Sequence, residues 1–76
     1  MKILVIEDDR QLASIAYETL NKDGYEVDLA SSGEIGVEKA SSTLYDSILL
    51  DINLPGISGF EVCRQLRANG ITSSII

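Results

Sequence analysis

Ser47-Ile48-Leu49-Leu50-Asp51-Ile52-Asn53-Leu54-Pro55-Gly56 is an apolar run that stops at one carboxylate and meets a Pro-Gly turn within four residues. A short run without polar alternation predicts a strand buried on both faces. In open parallel sheets, ligands bind outside the carboxyl ends of the strands, which is where Asp51 would stand. A lone Asp after a strand is ordinarily a helix cap or turn former. A second run, Ile3-Leu4-Val5-Ile6, ends in Glu7-Asp8-Asp9. If the two strands are neighbours, several carboxylates meet at one edge of the sheet.

The rest of the chain makes them neighbours. From Leu12, apolar residues recur at Ile15, Ala16 and Leu20, with Ala13 and Tyr17 beside them, the spacing of a helix with one buried stripe. Asp8 or Asp9 can cap it, and Gly24 supplies a left-handed stop. Tyr25 to Ala30 alternates apolar and polar, which predicts a strand at the sheet edge. Ser31-Ser32-Gly33-Glu34 opens a second helix to about Ser41, whose stripe of small residues (Gly36, Val37, Ala40) suits close approach to a sheet. Ser47–Leu50 is the third strand. Ser58, with Glu61 at capping-box spacing, opens a third helix. Its face is Gly59, Val62, Cys63 and Leu66, it ends at Ala68-Asn69-Gly70, and a fourth strand occupies Ile71 to Ile76. Strands alternating with helices predict an α/β fold with a parallel sheet and right-handed crossovers. An edge second strand between buried first and third strands selects the flavodoxin-like, doubly wound order 2-1-3-4. Its switch point lies between strands one and three, where Glu7, Asp8, Asp9 and Asp51 would gather.

Composition narrows the functions this site can serve. Seventy-six residues make one domain, near the lower limit for an unaided core. No apolar stretch approaches the roughly 20 residues of a membrane span, and the start has no signal-peptide pattern, so a cytoplasmic location and no membrane partner are expected. The formal charge of −6 and six scattered basic residues argue against direct nucleic-acid binding. A single Cys63 and no histidine exclude a disulfide within the chain and a cysteine-rich zinc site; Cys63 is expected to be a small buried apolar residue.

Carboxylates a few ångströms apart repel, so they share a proton or hold a cation. An all-oxygen site favours a hard ion, Mg²⁺ or Mn²⁺. An Asp beside such an ion can attack phosphorus to give an aspartyl-phosphate. Solvated acids that merely cap helices are the plainer alternative.

Glu7-Asp8-Asp9 after the first strand, and Asp51-Ile52-Asn53-Leu54-Pro55-Gly56-Ile57-Ser58-Gly59 after the third, resemble the receiver domain of bacterial two-component response regulators. The resemblance runs over all 76 residues. It implies that Asp51 is the phosphoacceptor, modified by a sensor histidine kinase, and that the domain signals to an effector, often a DNA-binding one, without being an enzyme. It further implies that Asp8 and Asp51 bind Mg²⁺ through side chains, Asn53 through its backbone carbonyl and Glu7 through water. Asp9 would be a helix cap. Pro55 and Gly56 would shape the turn that presents Asn53.

Receivers continue beyond a fourth strand to a Ser/Thr and a Lys that contact the phosphoryl group. Neither has a position here, so residues 1–76 read as an incomplete, truncated receiver, with three βα units and the start of a fourth strand. The alternative is a half-domain fragment with a non-functional site. Either way an unpaired apolar edge at Ile76 predicts self-association, most simply as a dimer. A remoter rival, an aspartyl-phosphate phosphatase of the haloacid-dehalogenase type, requires a second Asp two residues past the nucleophile. That position is Asn53.

Overall fold

Short apolar strands separated by capped helices assemble into a four-stranded sheet in the computed structural model, which describes residues 1–51 and 53–76. Ile52 of the quoted motif lies outside the described residues. The elements are β1 (Lys2–Ile6), α1 (Arg10–Lys22), β2 (Glu26–Ala30), α2 (Gly33–Ser42), β3 (Ser47–Leu50), α3 (Gly59–Ala68) and β4 (Ser74–Ile75). All pairings are parallel and the order is β2-β1-β3-β4, the expected flavodoxin-like arrangement. Ile6, the last residue of β1, stands in register with Ala30 of β2 and Leu50 of β3. The strand ends that carry the acids are therefore level.

Each helix begins on a side-chain cap. Asp9 Oδ1 accepts the N–H groups of Gln11 and Leu12, at 2.9 and 3.2 Å. Ser32 Oγ accepts from Ile35 and Ser58 Oγ from Glu61, both at 3.2 Å. These bonds satisfy amides that a helix start leaves orphaned. The capping box at α3 is only half made, because the Glu61 carboxylate turns to the Arg64 guanidinium and the Gln65 amide. That ion pair holds Glu61 well below the usual carboxylate range, at about 2. At the other end of α1, Gly24 takes φ +90°, the left-handed conformation that the stop required.

Alternate residues of the strands sort between two faces. Leu4, Ile6 and Ile48 face α2 and α3 and join Ala30, Ala40, Tyr45, Leu54, Val62 and Leu66 in one buried cluster. Each fully buried large side chain there contributes roughly 1.5–3 kcal/mol. Ile3 and Val5 are buried on the opposite face, under α1. There the expected stripe needs correcting: Ala13 is the buried residue of α1, while Leu12 and Ile15 are 54% and 60% exposed. The helix packs on β2 and β1, so the Leu12 flank overhangs β3 and borders an open groove with Val5, Ala16, Leu49 and Ile76.

Two further expectations shift. The fourth strand covers Ser74–Ile75 and not the whole of 71–76, because Ile71 N–H closes the end of α3 on Leu66 O and the buried Ser73 hydroxyl donates to Tyr45 O at 2.6 Å. Ile76 N–H still reaches Ile48 O, at 2.9 Å. Cys63 is half-buried, not buried, since it borders an apolar groove with Phe60, Ile75 and Ile76 at the β4 side.

Candidate functional site

The backbone places the acids before any side chain is considered. Glu7 N–H donates to Ala30 O at 3.0 Å, and Asp51 N–H donates to Ile6 O at 3.2 Å. The first residue past β1 is thereby tied to β2, and the first past β3 is tied to β1. Their side chains leave the sheet at the same edge, and one carboxylate oxygen each from Glu7, Asp8 and Asp51 lies within 4.8 Å of the other two. Asp9, the fourth acid expected here, is spent on the α1 cap. Asn53 N–H donates to Asp51 Oδ1 at 3.0 Å, a local turn bond that fixes the carboxylate rotamer. Leu54 anchors that turn in the core at 7% exposure, and Gly56 completes it at φ +75°.

The electrostatics of the cluster follow from this crowding. Burial pushes the Glu7 carboxyl up to about 7, reinforced by its bond to Asp51 and by the charges of Asp51, Asp8 and Asp9. Asp51 is held below its usual value by the protonated Glu7 facing it, then by Asn53 N–H. The bond between the two carboxyls exists only while one carries a proton. With both ionised, Glu7 Oε2 is buried and has no hydrogen-bond partner among the described residues. Such an orphaned anionic oxygen is costly unless a proton or a cation meets it. Three converging carboxylates with no sulfur or imidazole suit a hard divalent ion, so the residues present fit Mg²⁺.

Beside Glu7 and Asp8 lies a groove of about 290 Å³ lined also by Arg10, Ser14, Tyr17 and Ser31. Arg10 and Ser31 were not singled out by sequence pattern, as an exposed residue opening a helix carries no periodic signal. A second polar contact without a periodic sequence signal lies at the middle of β2. There the Tyr45 hydroxyl, on a side chain 3% exposed, donates to Asp28 Oδ2 of β2. Burial and the Asp28 carboxylate raise that phenol to about 12. The cue was an aromatic residue two positions before a buried strand.

Residues 3–76 match the family described as response regulator receiver domain. The chain belongs to this family. It is 48% identical over 75 residues to response regulator ArlR of Staphylococcus saprophyticus subsp. saprophyticus, which covers 99% of this chain and 34% of that protein. The fold superposes with TM-score 0.91 on response regulator protein TrrA from Thermotoga maritima, solved in complex with Mg²⁺-BeF. Identity there is 39%, over 97% of this chain and 64% of that one. TrrA has also been solved in complex with histidine kinase ThkA; that copy superposes with TM-score 0.90. The receiver chain thus spans about a third of ArlR and just under two thirds of TrrA. No helix among the described residues is long and apolar enough to cross a membrane.

Proposed function

We propose that this receiver domain takes a phosphoryl group on Asp51 from a phosphohistidine of a sensor kinase, with Mg²⁺ (or Mn²⁺) in the carboxylate cluster. The observation that carries the reading is the meeting of Glu7, Asp8 and Asp51 oxygens within 4.8 Å at the ends of two paired strands. The complexes of TrrA with Mg²⁺-BeF and with ThkA support it by analogy. Asp8 and Asp51 would hold the ion through side chains, Asn53 through its backbone carbonyl and Glu7 through water. The ion's charge would offset that of the incoming phosphoryl oxygens.

An Asp51 carboxylate oxygen attacks the phosphorus in line. The P–N bond breaks, its electron pair returns to the imidazole nitrogen, and that nitrogen takes up a proton. Asp51 is suited to this by its lowered proton affinity, which keeps it ionised, and by the Asn53 bond that orients it. The domain acts as a signalling module, and its output passes to an effector outside these residues. Asn53 in place of a second Asp disfavours a phosphatase of the haloacid-dehalogenase type.

The test is incubation with acetyl phosphate and Mg²⁺, read by intact-protein mass. One phosphoryl group is expected on the wild type and none on Asp51→Asn or in EDTA. Asp8→Ala should weaken Mg²⁺ binding more than Asp9→Ala, and equal losses would undo the ligand assignment. A wild-type chain that folds and binds Mg²⁺ but is never modified would favour the non-functional half-domain reading. A second proposal rests on Leu12, Ile15 and Ile76, all exposed: the 76 residues self-associate through the β4 edge, and light scattering at micromolar concentration showing a monomer would refute it.

A further inference from the structure

We infer that the glycine face of α2 sets the gap between the two acid-bearing segments, so that Gly36 and Gly33 are positioning residues for the metal centre; this rests on the Mg²⁺ reading above. A Cβ at Gly36 would lie 2.8 Å from Ile6 Cγ1 and closer still to Ile6 Cδ1, and Ile6 immediately precedes Glu7. One turn earlier, a Cβ at Gly33 would lie 2.5 Å from Val62 Cγ2 and 2.8 Å from Ile57 Cγ1, and Ile57 immediately follows the turn after Asp51. Between them Glu34 stands over that same turn, its Oε2 3.1 Å from where a Cβ on Gly56 would be. A single turn of α2 therefore rests on the last residue before one acid pair and on the loop that follows the other acid.

The backbone behind Ile6 and the helix above it are both tied down. Ile6 sits in the central strand, with Asp51 N–H bonded to its carbonyl and Glu7 N–H bonded across to β2. The helix is held by the Ser32 cap, by Lys39 Nζ donating to Leu29 O at 2.6 Å and by buried Ala40. A methyl added at Gly36 therefore displaces the Ile6 side chain or lifts α2, and a lifted α2 carries the loop it touches at Ile57 relative to Glu7 and Asp8. Metal binding is sensitive to shifts of a few tenths of an ångström in its donors, whereas overpacking alone lowers stability without regard to where the acids lie.

The experiment is calorimetric titration with Mg²⁺ beside thermal unfolding, on wild type, Gly36→Ala, Gly36→Ala with Ile6→Val, and Tyr45→Phe. Tyr45→Phe is the control: it loosens the fold at the middle of β2, off the segments that carry the acids. Gly36→Ala should raise the Mg²⁺ Kd about tenfold, and removing the opposing methyl in the double variant should bring it back to within about threefold. Tyr45→Phe should lower Tm and leave the Kd within about twofold. A folded Gly36→Ala that binds like wild type overturns the inference, as does a Kd that follows Tm in every variant. Should Gly36→Ala not fold, Ile57→Ala replaces it, with a Kd raised about threefold in support and an unchanged Kd against. Wild type that takes up no Mg²⁺ overturns the metal reading and this one with it; wild-type binding with unaltered variants overturns this one alone.

Discussion

Leu4 and Ile6, on one face of β1, are sealed beneath α2 and α3, whereas Ile3 and Val5, on the other, lie under a helix whose own Leu12 and Ile15 remain largely in water. The strand residues are alike in kind. The difference is the cover. On the closed face α2 touches α3 and the sheet, α3 joins the strands through buried Val62 and Leu66, and glycines let α2 approach to the limit of contact. On the open face α1 covers β2 and β1 alone, leaving a groove of about 370 Å³ that runs past Val5 and Leu49 to Asp51. The acid cluster stands at the border of the two regions, built on packed segments and open on the side where a large partner could reach it.

The largest expected effect separates the faces directly. Leu66→Ala, on the closed face, should cost about 2–5 kcal/mol in urea unfolding, enough to leave so small a domain partly unfolded at room temperature. Leu12→Ala should change stability by no more than about 0.5 kcal/mol. Equal losses would mean that the open face is covered in solution.

Next in size, Tyr45→Phe should cost about 1 kcal/mol by removing the hydroxyl that meets Asp28, since it keeps the buried ring. An unchanged midpoint would show that this bond merely replaces one to water. The acid cluster gives a smaller, pH-dependent effect. Glu7 has its folded value raised from 4.5 to about 7, so the stability it contributes is complete below its unfolded value and is lost as pH climbs through 7. Asp51, shifted the other way, loses its contribution only as pH falls through its lowered value. Metal-free protein should therefore melt a few degrees lower at pH 8 than at pH 5. Glu7→Gln should flatten that slope, and so should Mg²⁺; a slope surviving in Glu7→Gln would assign it to other groups. Smallest in folding terms, Ile15→Glu should leave unfolding within about 0.5 kcal/mol while reducing any self-association seen by light scattering. An unaffected oligomer would confine the β4-edge contact to β4 itself and exclude the α1 flank.

Much of this was legible in the residues because the signals were local or periodic. Uniformly apolar first and third strands, with an alternating second strand marking the edge, gave the order 2-1-3-4, and that order brought Glu7 and Asp8 to Asp51. Asp9, Ser32 and Ser58 are caps because short polar side chains before an apolar period have few other uses. The illegible parts depend on what lies across from a residue. The stripe on α1 could not say which strands the helix would cover, so Leu12 and Ile15 were assigned to the core with Ala16 and Leu20. Glu61 had the spacing of a capping box, but a guanidinium one turn along competes for it and wins. Tyr45 carries no periodic signal, and its burial follows only from the elements that close over it. The orphaned Glu7 oxygen exists only in three dimensions.

The register of β1 also sets an order of events for a chain made from its N-terminus. Ile3 to Ile6 are synthesised first, yet their partners are Val27 to Ala30 on one side and Ser47 to Leu50 on the other. One edge of that apolar segment therefore stays bare until the Asp51 region has emerged. Pairings so distant in sequence are slow to close and leave unpaired backbone exposed to other chains meanwhile. The central strand is made before both of its partners and is completed only by β3, whose end delivers Asp51 to it.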